Sequence, residues 1–285
     1  MDIQWFPGHM AKARRKMAED IRQVDAVCEL ADARVPMSSR NPDLREIIGG
    51  KPAIVVLNRI DQADPDATAR WSARYKSLGE RVIETDCKSG KGVGSFPAAA
   101  RALLADKLAA YAAKGQTGRG LRVMVVGIPN VGKSAFINAL AKRSAARVSD
   151  RPGVTRGSQW IRIDGALELM DTPGVLWPKF SDRAAGENLA FTGAIRDEVT
   201  DAEELGAALM LRLRDLSPER LAERFKLDID ASDDGYAMLT KAAAGRGFLL
   251  SGGEYDTGRA AAVLLDEFRA GKLGRVTLDA PPNRV

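Results

Sequence analysis

Short apolar runs alternate with longer amphipathic stretches along most of the chain, and purely helical spacing takes over after about residue 180. Residues 24–30 and 53–57 read as strands, each ending in polar residues suited to a site at a sheet edge, and a third strand is read at 81–85. Residues 96–113 are Ala/Leu-rich and helical in pattern, and 114–120 form a flexible, glycine-containing break. The run 122–126 predicts a further strand and the stretch from about 135 to 142 a helix. The runs 159–163 and 167–170 meet at Asp164-Gly165, a good hairpin signal. Alternating strands and helices imply an α/β sandwich that binds ligands at the carboxyl ends of its strands.

Beyond residue 180 the strand signals fade. Thr200 with Glu203 resembles a capping box before the Leu205, Leu209 and Leu213 stripe, and Ser217-Pro218 opens a helix holding Leu221 and Phe225. Leu239 and the Ala261, Leu264, Leu265 and Phe268 stripe predict at least two more helices, with stripes of core character. The expected organisation is a nucleotide-binding α/β domain over residues 1–180 and a small all-helical C-terminal domain over 181–285.

The chemistry enters at Gly127-Ile128-Pro129-Asn130-Val131-Gly132-Lys133-Ser134, set between a strand and a helix as a phosphate loop requires. Glycines let consecutive N–H groups, through Val131 and Gly132 to Ala135, converge on phosphates at the positive end of the helix. Lys133 is expected to pair with β- and γ-phosphate oxygens and Ser134 to ligate magnesium. Asn58-Arg59-Ile60-Asp61 points to guanine, because the Asp61 carboxylate can accept from both N1–H and the 2-amino group, neither of which adenine offers there. Arginine stands at Arg59 where lysine is usual, keeping a stem and a cation to lie over the base. A second base segment, Thr85-Asp86-Cys87-Lys88-Ser89-Gly90, follows the next strand. In Asp171-Thr172-Pro173-Gly174 the aspartate is expected to support magnesium through water and the glycine N–H to meet the γ-phosphate. Thr155 lies between these elements as the candidate switch threonine on magnesium. The base tetrad precedes the phosphate loop, the reverse of the usual order, so the chain reads as a circularly permuted P-loop GTPase whose switch segment runs into the C-terminal third.

The stretches Trp5 to Ala13, Asp32-Ala33-Arg34-Val35-Pro36, Asp171 to Pro178 and Ser251-Gly252-Gly253 resemble the YlqF/RbgA family of ribosome biogenesis GTPases, over essentially the whole chain. The resemblance implies a cytoplasmic GTPase acting late in assembly of the large (50S) ribosomal subunit. Such a protein binds the precursor particle through rRNA beside ribosomal proteins, is stimulated by it, and has an RNA-binding helical domain. Val175 replaces the glutamine that orients water in many GTPases, and the family's catalytic histidine carries over to His9, the only histidine present. Asn130 resembles the asparagine that helps hold potassium in related GTPases; the alternative is that it only shapes the loop. Two competing classes stay open, a non-catalytic RNA-binding factor with GTP as structural ligand and an ATP-using P-loop enzyme, the latter opposed by Asp61.

Composition narrows the setting. A formal charge of +5 suits a polyanionic partner such as RNA as well as ordinary solubility. Basic residues cluster at Lys12, Arg14, Arg15 and Lys16 and scatter over Lys241, Arg246, Arg259, Lys272 and Arg275, where either set can meet phosphates or solvent. Cys28 and Cys87 have neither metal-ligand spacing nor the density of a disulfide scaffold, so reduced thiols are expected. No apolar run long enough to span a bilayer is present and no secretory signal is evident, which makes cytoplasm the expectation.

Overall fold

The strand β1 (Ala26–Asp32) is buried at every position, as a strand covered on both faces must be. The computed structural model describes residues 15–116, 119–144, 159–164, 166–174, 176, 183–281 and 283. Around β1 run β2 (Ala53–Asn58), β3 (Arg81–Glu84), β4 (Leu121–Gly127), β5 (Gln159–Asp164) and β6 (Leu167–Asp171) in a six-stranded sheet of order β3-β2-β1-β4-β6-β5. All neighbours are parallel except the β5–β6 hairpin. The chain winds outward through β2 and β3, then crosses back to place β4 on the other side of β1. The crevice beyond the carboxyl ends of β1 and β4 is therefore the topological switch point, where such sheets bind ligands.

Helices α1 (Leu44–Ile48), α2 (Pro65–Ser77), α3 (Phe96–Leu103), α4 (Ala105–Ala113) and α5 (Lys133–Ser144) pack around this sheet. Asp64 caps α2 by accepting from the Ala67 N–H at 2.7 Å. The stretch 96–113 is helical as its pattern predicts and divides into two helices at Leu104 (φ −110°, ψ 22°). The break keeps Leu104 in the core, while α4 buries none of its own residues. Phe96 and Phe136 meet edge to face, ring centroids 5.2 Å apart, and join α3 to α5.

After the sheet come α6 (Arg183–Phe191), α7 (Ala202–Leu216), α8 (Pro218–Phe225), α9 (Gly235–Arg246) and α10 (Thr257–Arg269). The stripe Leu205, Leu209 and Leu213 is buried against α9 and α10, as its spacing predicts. The capping box does not form. Asp201 caps α7 by accepting from the N–H groups of Glu203 and Glu204 at 2.9 and 3.0 Å, while Thr200 donates to the Asp197 carbonyl. A carboxylate one position nearer the helix is the better acceptor for those two donors, and Glu203 accepts instead from Thr257. One apolar cluster runs without interruption from Leu30 and Val125 in the sheet to Phe225 and Leu264 in the helices. Among the described residues no helix is long and apolar enough to cross a membrane.

Candidate functional site

Strand β4 ends at Gly127 and α5 begins at Lys133, so the intervening loop wraps the switch-point crevice. Gly132 has φ of 102°, and a β-carbon there would stand 2.5 Å from Asn58 Nδ2. Only glycine permits that approach. Lys133 is buried, its Nζ donating to the carbonyls of Gly127 and Ile128 at 3.0 Å each. Burial, opposed by the Asp171 charge, lowers its ammonium to about 8. Ser134 Oγ lies 3.4 Å from Asp171 Oδ2, bringing a hydroxyl and a carboxylate together at the mouth of the loop. A hydroxyl and one carboxylate are a donor set that fits magnesium carried in with phosphates, and among the described residues no cluster of three or more metal-binding side chains offers an all-protein cage. Ala135 is exposed on the first turn of α5.

The base tetrad divides by environment. Asn58 is buried at the end of β2, where Nδ2 donates to the Val131 carbonyl at 2.9 Å. Its Oδ1 accepts from Thr85 Oγ1 at 3.2 Å and the Cys87 N–H at 3.3 Å. One side chain thus joins the phosphate loop to both base segments. Ile60 packs with Leu57, Ala63 and Trp71 in a satellite core, leaving Asp61 exposed beside it. Arg59 has φ of 65°, and its guanidinium donates to the Asn130 carbonyl at 2.6 Å, with Nε 3.6 Å from Asp32 Oδ2.

Asp86 accepts from the Lys88 N–H at 2.8 Å and so shapes its own turn, with Lys88 exposed. Burial works against the Asp86 carboxylate, but hydrogen bonds from Ser89 and from the Lys88 and Ser89 N–H groups hold it below the usual range. Burial pushes the Cys87 thiol to about 11 and the Cys28 thiol well up; both cysteines are free.

Beyond β6, Thr172 Oγ1 donates to the Val125 carbonyl at 2.6 Å, pinning the start of the switch segment to the strand that feeds the phosphate loop. Pro173 and Gly174 are exposed, and a β-carbon on Gly174 would come within 2.7 Å of Pro129 Cα and 3.0 Å of Lys133 Nζ. Gly174 therefore packs directly against the phosphate loop, with no room for a side chain. His9, Thr155 and Val175 lie outside the described residues.

Two partners of the site were not foreseen from sequence. Asn130 (φ 58°) donates from Nδ2 to the Gly193 carbonyl at 2.6 Å, attaching the phosphate loop to the turn after α6. A cavity of about 810 Å³ opens there, lined by Arg59, Asn130, Gly174, Gly193, Arg196 and Arg269 among others. Arg269 holds the turn by a two-pronged contact to Asp197 (2.8 and 2.7 Å) and bonds to the Phe191 and Ala190 carbonyls. The second is Arg34, fully buried, which grips Asp32 through Nε (3.0 Å) and Nη2 (2.8 Å) and donates to the Phe268 carbonyl at the end of α10 (3.2 Å). Burial alone would raise the Asp32 carboxyl, but the charge and hydrogen bonds of Arg34, with Arg59 behind it, hold it below the usual range.

Residues 122–226 match the family described as 50S ribosome-binding GTPase. Over 281 residues the chain is 44% identical to ribosome biogenesis GTPase A of Bacillus cereus, spanning 99% of this chain and 95% of the relative. The same protein of Priestia megaterium is 44% identical over 282 residues, covering 99% and 98%. Among solved structures, GNP-bound YlqF from T. maritima superposes with a TM-score of 0.65 at 27% identity, over 95% of this chain and 98% of that one.

Proposed function

Because this chain belongs to the ribosome biogenesis GTPase A family, we propose that it acts as a late checkpoint in building the large ribosomal subunit, docking on the pre-50S particle with GTP and leaving after hydrolysis. The observation that carries the reading is the Asn58 bridge to Val131 at 2.9 Å, which ties a guanine-type loop and a phosphate loop to one sheet edge. GTP entering that crevice meets the N–H groups from Asn130 to Ala135. Lys133 leaves the Gly127 and Ile128 carbonyls for the β- and γ-phosphate oxygens, a short swing with a large electrostatic return. Ser134, with Asp171 through water and Thr155, would hold magnesium, which supplies positive charge against the anion building between the phosphates. Asp61 accepts from the guanine edge while Arg59 shields its face. Water attacks the γ-phosphorus, the bond to the β-phosphate oxygen breaks, and GDP and phosphate result. With an apolar Val175 at the position of the usual glutamine, His9 is the group assigned to orient that water on the particle.

The division into a GTP-binding unit over 1–180 and a ribosome-facing helical unit over 181–285 belongs to the same proposal. Support comes from a cleft of about 880 Å³ on the helices, lined by Arg220, Arg224, Lys226, Arg246 and Lys272 with Glu223. Glu267 neutralises part of this charge by pairing with Arg224 (2.7 Å) and Arg246 (3.3 Å), and the remainder suits the phosphates of rRNA in a cytoplasmic particle. Asn130 is also the residue through which potassium would bind. Exchange of potassium for sodium in the turnover assay tests that part. The whole reading is tested by multiple-turnover phosphate release with and without large subunits. Stimulation by the precursor particle is expected, and equal rates in both arms would defeat it.

A further inference from the structure

We infer that the segment Arg275-Val276-Thr277, at the far end of the chain from the tetrad, is a positioning element for guanine recognition. It braces the loop 59–64 on which Asp61 stands and so sets how sharply the site separates guanine from adenine. The inference rests on the base-reading role of Asp61 proposed above.

The contacts fall on either side of Asp61. Arg275 donates from Nη2 to the Ile60 carbonyl at 2.7 Å and from Nε to the Ala63 carbonyl at 3.1 Å. The Val276 N–H donates to the Gln62 carbonyl at 3.0 Å. Thr277 Oγ1 accepts from the Asp64 N–H at 3.1 Å and donates to the Ala33 carbonyl at 3.3 Å, linking the loop to the end of β1. Ile60 and Gln62, the neighbours of Asp61, are both held by this one segment.

The segment is itself anchored. The Leu278 N–H donates to the Arg34 carbonyl at 2.7 Å, and Asp279 accepts from the N–H groups of Met37 and Ser38 and from Asn188 Nδ2 at 2.7, 2.8 and 2.9 Å. Val276, Thr277 and Leu278 are buried, whereas Arg275 is exposed, so removing its guanidinium loosens the loop without opening a core. A carboxylate fixed in advance binds without first paying for its own ordering, and a site whose competent state is only fractionally populated loses affinity by that fraction. Only ligands that use Asp61 feel the loss.

The test compares dissociation constants for GDP, ADP and inorganic triphosphate in the wild type, Arg275→Ala, Thr277→Val, the double variant and Asp61→Ala. The double variant is expected to lose roughly tenfold in GDP affinity, the equivalent of about one hydrogen bond of ordinary strength, while ADP and triphosphate are unchanged. The GDP-to-ADP ratio then falls in the same direction as in Asp61→Ala. A merely structural role would weaken all three ligands together. A wild-type ratio in the single and double variants, with the ratio lowered in Asp61→Ala, overturns the inference alone. An unaltered ratio in Asp61→Ala removes the guanine reading and this inference with it. Thr277→Val keeps the volume of the side chain, so a folded variant is available even where Arg275→Ala lowers stability.

Discussion

Asn130 gives its side-chain N–H to the Gly193 carbonyl at 2.6 Å while its own carbonyl accepts from Arg59 at the same distance. One residue of the phosphate loop is thereby joined to the base loop on one side and to the turn leading into α7 on the other. A shift of the loop on nucleotide exchange has a direct route to the helices. Asn130→Gly, which accepts the φ of 58°, is expected to cost less than about 1 kcal/mol, since the bond is exposed, yet to speed amide exchange at Gly193, Ala194 and Ile195. Unchanged protection there would mean that Arg269 and the backbone bonds of Gly193 and Ala194 fix the turn without Asn130.

Asp61→Asn is expected to weaken GDP binding and raise relative affinity for xanthine nucleotides, because an amide offers a donor where the carboxylate only accepts. Competition between GDP and XDP measures it. Retained guanine preference would take Asp61 out of the site.

Lys133 is the group through which pH acts on binding. Burial lowers its ammonium to about 8, and nucleotide phosphates placed beside it raise that value again. Its protonated form is favoured in the complex, so affinity is full below about 8 and falls as pH rises through it, with proton uptake on binding. Titration calorimetry at about pH 8.5 in buffers of different ionisation enthalpy reads the uptake directly, and Lys133→Ala should abolish it.

Arg34→Ala leaves the Asp32 carboxylate buried with only Arg59 nearby and frees carbonyls at the end of α10. Loss of one partner from such a pair costs about 3–5 kcal/mol, which denaturant unfolding would register. Replacing both members, Asp32→Asn with Arg34→Met, should recover part of that.

For His9 the expected outcome is kinetic. His9→Ala should keep GTP affinity and particle binding but lose a large share of an activation that docking commonly sets at roughly 10³- to 10⁵-fold. Single-turnover hydrolysis on saturating pre-50S particles decides it; equal rates at equal occupancy would leave His9 a contact residue.

The phosphate loop was legible because its glycines, lysine and serine must follow a strand and open a helix, and the apolar run before Gly127 announced that strand. The stripe Leu205, Leu209 and Leu213 was legible for the same local reason. What stayed hidden was either a choice among equivalent residues or a contact across the chain. Asp201 won the cap from Thr200 because two adjacent residues carried suitable oxygens and only backbone geometry separates them. Leu104 breaks a helix with neither glycine nor proline to mark it. Arg34 meets the carbonyl of Phe268 234 positions away, and no spacing rule reaches that far.

The strand order carries a cost during synthesis. β1 is buried along both faces, and its second edge is completed only by β4, from Ala26 opposite Val123 to Leu30 opposite Gly127. A chain emerging from its amino end exposes β1, β2 and β3 first, so an unpaired row of N–H and C=O groups on a largely apolar strand waits through α3 and α4 for its neighbour. Such an edge invites pairing with other chains. Moving the phosphate-loop strand behind the base-reading half therefore gives the nascent protein a sticky interval that only fast elongation or a chaperone shields.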